Sequence, residues 1–302
     1  MSGIYDDPLT IGVAITNYET WSLSLRCVKE VLKQEPAIAR VIIVDDHSSE
    51  PCPELPLDPL VRVVINPTNL GGGPSLNRAI SETRTDIVVV FDSDAYPLSA
   101  FVAFLRKQFA DEPALGAVGF RTVDRYGRDT GGPEAEPDVL TLILGQRLHA
   151  LYRRLRPASG RAICIYTPAM AIRRRAFDEL GGLDDQRFDF LDLDTDLSMR
   201  FNRSGWRLRW CPELLAFHEG GGSPQKTHQR VLRYYRNRWL LLRKHGRLKH
   251  PATVRRLVLA RLALELAGLS MFGRLIYGNG ARLDDKLLSR RLAWKHVRDH
   301  YF

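Results

Sequence analysis

Cysteine is scarce. The four present, Cys27, Cys52, Cys164 and Cys211, are scattered, without the close pairing that a structural zinc site or a redox Cys-x-x-Cys motif requires. This predicts a reducing compartment and argues against a fold built on disulfides. Long uncharged apolar runs are missing as well. The stretch Leu257 to Phe272, LVLARLALELAGLSMF, is interrupted by Arg261 and Glu265 and falls short of the length needed to span a bilayer. The first ten residues, MSGIYDDPLT, lack a basic start followed by an apolar run, so they do not read as a signal peptide. There is no low-complexity tract and no fixed-period repeat of the kind that would suggest a solenoid. Together these absences predict a globular cytoplasmic protein, and 302 residues suffice to bury a sizeable core.

Charge is present but uneven. Residues 231–302 hold 17 Lys/Arg against 4 Asp/Glu, a net of +13, whereas residues 1–230 carry a net of −4. A basic tail on a slightly acidic body suits contact with an anionic surface such as lipid, polyphosphate or nucleic acid. A solvated basic face accounts for the same composition.

Two β-branched runs, Thr10 to Thr16 and Arg40 to Val44, flank a segment whose apolar Leu25, Val28 and Leu32 recur at helical spacing. Strands are expected again at Leu60 to Ile65 and Ile87 to Phe91, with a loop over Asn66 to Gly73 and a helix near Ser75 to Glu82 between them. Further expectations are a helix over Phe101 to Phe109, a strand over Ala117 to Val123, and a long loop over Asp124 to Asp138. They continue with a strand at Met170 to Arg173, helices at Arg174 to Leu180 and Asp194 to Arg203, and a strand at Trp206 to Trp210. From Lys226 onward the sequence reads as mostly helical. Apolar strands alternating with helices imply an α/β fold with a mostly parallel sheet covered on both faces. Ligands of such sheets bind beyond the carboxyl ends of the strands.

Carboxylates gather at those ends. Asp92 and Asp94, in VVVFDSDAYP, offer hard oxygen ligands to Mg²⁺ or Mn²⁺, with a bound diphosphate able to supply the rest. Asp94 could equally cap a following helix. Asp45 and Asp46 suit hydrogen bonding to a ligand's base or ribose, or an Asx-turn. The glycines of Asn69-Leu70-Gly71-Gly72-Gly73 allow close approach of backbone to a ligand, or simply a tight turn. In LDLDTDL, Asp192, Asp194 and Asp196 repel one another, which raises at least one pKa and suits a general base; helix N-terminal charge is the alternative. His218, between LLAF and a glycine run, is either a metal ligand or a buried hydrogen-bonded histidine.

Taken in order, these segments resemble the inverting family 2 glycosyltransferases of the GT-A fold, and among them the bacterial rhamnosyltransferase-like branch. The resemblance runs from about Ile11 to Gly246. It is carried by IGVAITNYE, VIIVDDHSS, NPTNLGGGPSLNRAI, VVVFDSDAYP, GAVGFRTVDRYGR, AMAIRRRAFDELGGLDD, DLDTDLSMRFNRSGWRL, CPELLAFHEGGGS and RYYRNRWLLLRKHG.

The resemblance implies a GT-A catalytic domain over residues 1–235, with a nucleotide-sugar half to about 120 and an acceptor half from about 121. A basic helical extension follows over 236–302. It implies that Thr16 and Tyr18 cradle the nucleotide, that Asp45 or Asp46 holds a uracil or thymine base, and that Asn77 and Arg78 continue the pocket. Asp92, Ser93 and Asp94 form the D-x-D at the sugar nucleotide, with Asp94 the direct metal ligand and His218 completing the site. Asp194 aligns with the general base for an acceptor hydroxyl. The family usually has Glu just before that Asp. Here Leu193 stands there with Asp192 one position earlier, so either Asp192 substitutes through a register shift or acceptor binding is altered.

The implied donor is a UDP- or dTDP-sugar. The acceptor would be a saccharide, a lipid-linked saccharide or a small molecule, in cell-surface polysaccharide or natural-product glycosylation. The apolar helix near the C-terminus could lie on an anionic membrane face, pack on the catalytic domain, or pair with a second copy. Three rivals remain. A nucleotidyltransferase would need a glycine-rich, lysine-bearing loop near the N-terminus. A nucleic-acid-binding protein would need a reading module, and no nucleic-acid partner is expected. A nucleotide-binding, non-catalytic family member is suggested by Leu193.

Overall fold

The computed structural model describes residues 9–53, 58–155, 163–219, 227–278 and 280–301. Most of the N-terminal decapeptide and the 220–223 part of HEGGGS lie outside them. In chain order the elements are β1 (Ile11–Asn17), α1 (Trp21–Val31), β2 (Arg40–Asp45), β3 (Val61–Ile65), α2 (Gly72–Thr83), β4 (Ile87–Asp92), β5 (Ala95–Pro97), α3 (Val102–Asp111), β6 (Leu115–Val123), β7 (Asp129–Gly131) and β8 (Glu134–Ala135). They continue with α4 (Val139–Leu155), β9 (Ile163–Cys164), β10 (Ala169–Arg173), α5 (Arg174–Glu179), α6 (Leu193–Phe201), β11 (Arg207–His218), α7 (Thr227–Lys244), α8 (Pro251–Tyr277) and α9 (Ala281–His300). The chain divides into two compact units, Met1–Glu134 with Ala162–Gly222, and Ala135–Arg161 with Ser223–Phe302.

The first unit is an α/β domain. Its main sheet runs β3-β2-β1-β4-β10-β6-β11-β5, with β7 on β6. From β3 to β4 every pairing is parallel. Beyond β4 the sheet is mixed, because β10 runs antiparallel to both β4 and β6 while β11 returns parallel to β6. The central strands are buried on both faces. Ile11, Val13 to Ile15, Val41 to Val44 and Ile87 to Phe91 have almost no exposure, as expected for continuous Val/Ile runs in a covered sheet. The buried stripe of α1 is Trp21, Ser24, Cys27, Val28 and Val31, which is helical spacing. Phe91, just before Asp92, is locked edge-on between Phe101 and Phe120, with ring centroids 6.1 and 5.9 Å away. Truncating it to Ala would cost about 3–5 kcal/mol.

After Asp94 the chain makes the short β5, and α3 begins only at Val102. Asp94 therefore caps no helix. The expected long loop after residue 123 is partly ordered, since β7 returns antiparallel on β6. β11 extends past the expected Trp210 to His218. It passes the N–H-less Pro212 through a register shift between Cys211 and Leu215.

The second unit is helical. Leu142, Tyr235, Trp239, Leu242, Val254, Val258, Leu262, Ala293, Val297 and Tyr301 form its core. Trp239 and Tyr301 stack with centroids 3.8 Å apart, and the Tyr301 hydroxyl donates to the Tyr235 carbonyl at 2.7 Å. The helix α4 is absent from the sequence-based expectations; Gly145, at φ 72°, kinks it and interrupts its 3.6-residue pattern. No described helix is long and apolar enough to cross a membrane.

Candidate active site

Register brings the strand ends together. Asn17 lies beside Asp45 and Thr16 beside Asp92, so the C-terminal ends of β1, β2 and β4 share one edge. β10, running the other way, starts at that edge: the Asp92 N–H donates to the Pro168 carbonyl at 3.4 Å. β11 reaches the same place through β5, where His218 pairs with Ala95. Residues more than a hundred positions apart thus converge. One ligand atom each from Asp92, Asp94 and His218 lies within 4.8 Å of the others, and His218 Nε2 is 3.6 Å from an Asp94 oxygen.

The electrostatics of this cluster favour a cation. Burial, followed by the negative charges of Asp94 and Asp194, pushes the Asp92 carboxyl up to about 7. Burial pushes the His218 imidazole down, against the pull of Asp94, so the ring is biased toward its neutral, ligating form. Two carboxylates and a neutral imidazole form a donor set that fits Mn²⁺ or Mg²⁺.

Asp45 and Asp46 have a different environment. Both are buried. Asp45 accepts from Asn17 Nδ2 at 2.7 Å, Ser48 Oγ at 2.6 Å and Ser48 N at 3.1 Å. Asp46 accepts from Asn66 Nδ2 and from the Leu70 and Gly71 N–H groups, all at 2.8 Å. Three donors on a carboxylate with about four acceptor sites leave one position open on each. They hold the Asx-turn at Ser48 and the 66–71 loop. Arg78 supports that loop by donating to Asn66 Oδ1 at 2.6 Å. Asn77 donates to the Leu183 carbonyl and to Asp185, and it accepts from the Leu183 N–H, so both its amide hydrogens are engaged within the protein. Tyr18 is exposed; Thr16 and Ser93 are half-buried.

The glycine loop also serves packing. Gly71 sits at φ +93° just before α2, and a Cβ on the buried Gly73 would lie 3.0 Å from Asp185 and 3.2 Å from Leu193. Leu193, the departure from the family pattern, is buried against this glycine.

The three carboxylates of LDLDTDL separate into distinct roles. Asp192 precedes α6 in a left-handed conformation, φ 69°, and is buried. Asp196 is fully buried and paired with Arg200 at 2.8 Å, whose guanidinium also donates to the Leu180 and Gly182 carbonyls. Asp194 accepts from the Thr195 N–H at 2.7 Å and the Thr167 N–H at 3.3 Å. Burial, the largest influence, pushes its carboxyl up to about 6; these backbone donors pull it down and Asp192 pushes it up.

Sequence reasoning missed Asn17, Thr167 and Tyr166. Asn17 joins Asp45 to Ser24 Oγ at 2.7 Å. Tyr166 has its hydroxyl held well above its usual range by burial and by the charges of Glu134 and Asp194. A polar residue flanking a strand end is a weak signal, and nothing in the order of the chain connects 166 and 167 with 194.

Known proteins agree with this architecture. The family described as glycosyl transferase family 2 matches residues 12–181, more than half of the chain. The probable glycosyltransferase YdaM of Bacillus subtilis is 26% identical over 194 residues, covering 59% of this chain and 43% of its own. The N-acetylglucosaminyl-diphospho-decaprenol L-rhamnosyltransferase of Mycobacterium tuberculosis is 25% identical over 202 residues, covering 59% of this chain and 66% of its own. The match thus spans less than two thirds of either relative. Among solved structures, the mannosyltransferase PcManGT from Pyrobaculum calidifontis, in complex with GDP-Man and Mn²⁺, superposes with a TM-score of 0.60 at 17% identity. It covers 97% of this chain and 88% of its own. The sheet is that of the GT-A fold. The chain belongs to glycosyl transferase family 2.

Proposed function

We propose that the protein is a metal-dependent inverting glycosyltransferase that moves a sugar from a nucleoside diphosphate to an acceptor hydroxyl. The observation that carries this reading is the meeting of Asp92, Asp94 and His218 on the sheet edge from which Asp194 acts electrostatically on Asp92. Asp92, Asp94 and His218 would hold Mg²⁺ or Mn²⁺, which when bound neutralises charge developing on the departing diphosphate. Thr16, Tyr18, Ser93 and the open acceptor positions of Asp45 and Asp46 receive a uridine or thymidine nucleotide. Arg78 and Asn77 position that pocket, through Asn66 and Leu183.

Asp194 accepts the proton of the acceptor hydroxyl. The resulting oxygen nucleophile forms its bond to the anomeric carbon on the face opposite the diphosphate, whose C–O bond breaks, and the configuration inverts. A carboxylate held near 6 is still ionised at neutral pH yet is a stronger base than an exposed one. Asp192 acts on Asp194 through its charge, and Asp196, tied to Arg200, holds α6. We assign the nucleotide to about residues 1–120 and the acceptor to about 121–235, with 236–302 outside the catalytic domain. The Mycobacterium relative favours the rhamnosyltransferase-like branch, with a saccharide-bearing acceptor. Scattered free cysteines favour a cytoplasmic setting.

Thermal stabilisation of wild type and Asp94→Ala by UDP-, dTDP- and GDP-sugars, with and without Mn²⁺, tests the donor site. A Mn²⁺-dependent rise with one nucleotide, lost in the variant, is expected. No rise with any nucleotide in folded protein would overturn the reading.

A further inference from the structure

The two charges that interrupt the apolar stretch of α8 are paired within the helical unit. Arg261 bonds Glu265, the Tyr235 hydroxyl and, at 3.3 Å, the Leu142 carbonyl. Glu265 bonds Arg290 of α9 in turn. The pair is neutralised inside the helical unit. The face of α8 beside them carries Leu257, Leu264, Met271 and Leu275, which recur at intervals of seven, seven and four residues and so form one stripe. These four are 46, 74, 67 and 84% exposed, and Phe272 and Ile276 are 53 and 67% exposed beside them. Ala260, Ala263 and Ala267 widen the stripe. From Leu257 to Ile276 it runs roughly 28 Å at 1.5 Å per residue.

Soluble proteins seldom leave so large a continuous apolar strip uncovered. The charge around it identifies the cover. The exposed charged residues of α8 are Arg256 and Arg274, one towards each end, with no exposed acid between them. Beyond its C-terminus, Arg282 and Lys286 lie 5.7 and 4.9 Å from the Tyr277 ring, accompanied by Asp284 and Asp285. Over residues 231–302 the net charge is +13. Two copies meeting on this face would bring like charges together, whereas an anionic surface would be attracted. An apolar stripe with cationic ends and a neutral centre has the pattern of a helix lying in the plane of a membrane interface.

We infer that α8 is an interfacial helix whose 257–276 face docks on an anionic lipid bilayer. The inference is independent of the proposed sugar transfer, since it involves none of the carboxylates of the sheet edge.

The test is co-sedimentation of the full chain with vesicles of about 30 mol% phosphatidylglycerol in phosphatidylcholine, and with pure phosphatidylcholine, across salt concentrations. Wild type is expected to partition onto the anionic vesicles at least tenfold more strongly than onto the neutral ones, and to be released as salt rises. Leu264→Glu/Leu275→Glu removes apolar area without touching the core, and should lower the partition at least tenfold while its Tm and circular dichroism stay unchanged. Failure of wild type to bind the anionic vesicles would overturn the inference. So would unchanged binding by the double variant, or a dimer in sedimentation velocity that the same variant dissociates.

Discussion

Asp45 ends β2, with Asp46 just beyond; Asp92 ends β4, with Asp94 in the turn beyond. In sequence the two pairs are alike, each following an apolar run. Asp45 and Asp46 each accept three hydrogen bonds from neighbouring loops. Among the described residues, no comparable set of donors reaches Asp92 or Asp94; their neighbours are each other, His218 and Asp194. Three protein donors offset the charge of a carboxylate like Asp45 or Asp46 from within the fold. Where the neighbours are other carboxylates and an imidazole, no internal group does so, and a bound cation would be favoured.

The comparison breaks most sharply in turnover. Asp94→Ala, or exhaustive EDTA, should lower sugar transfer by about 10³-fold or more, with Mn²⁺ restoring the chelated wild type but not the variant. If Asp46→Ala, with its fold intact, abolished the Mn²⁺ dependence in the same way, the contrast between the two pairs would be wrong.

A second contrast lies one half-turn apart on α6. Asp194→Asn should cut kcat by about 10²–10³-fold while leaving donor-induced stabilisation in place. Asp196→Asn should instead destabilise the fold by about 3 kcal/mol, since Arg200 loses its buried partner. The base must be ionised, so wild-type kcat/KM should fall about tenfold per pH unit below about 6. A flat profile between pH 5 and 7 would remove Asp194 from that role.

The strand ends were legible because Val/Ile runs that stop on carboxylates are read directly from the chain, and so was the α/β order. The separation of Asp45 and Asp46 from Asp92 and Asp94 was not. It depends on Asn66, Leu70 and Gly71 folding back over β2, which no local pattern announces. His218 was legible as a candidate but not as a neighbour of Asp94, because that proximity needs β11 to continue beyond Pro212 and pair with the three-residue β5. Likewise Arg261 and Glu265 read as breaks in an apolar helix, whereas Tyr235 and Arg290 give both of them partners within the helical unit.

Asp46→Ala tests the scaffold side in terms of stability. It leaves Asn66 and the Leu70 and Gly71 N–H groups without their acceptor, a loss of about 2–3 kcal/mol in unfolding free energy. Urea denaturation measures it. A loss below about 0.5 kcal/mol would mean that water replaces the carboxylate and that the loop does not depend on it.

The smallest effect has the opposite sign. With its carboxyl pushed up to about 7 in the folded protein, Asp92 keeps its proton over a range where the unfolded chain has released it. Metal-free protein should therefore lose stability as pH rises from about 4 to about 7, and show no such dependence below about 4, where both states are protonated. Asp92→Asn mimics the neutral form and should flatten this slope, so that at pH 7.5 the metal-free variant melts above wild type. Added Mn²⁺ should reverse the order, since only wild type gains a ligand. A variant that is less stable than wild type at every pH, with or without Mn²⁺, would place Asp92 with Asp45 and Asp46, as a carboxylate that the scaffold itself requires.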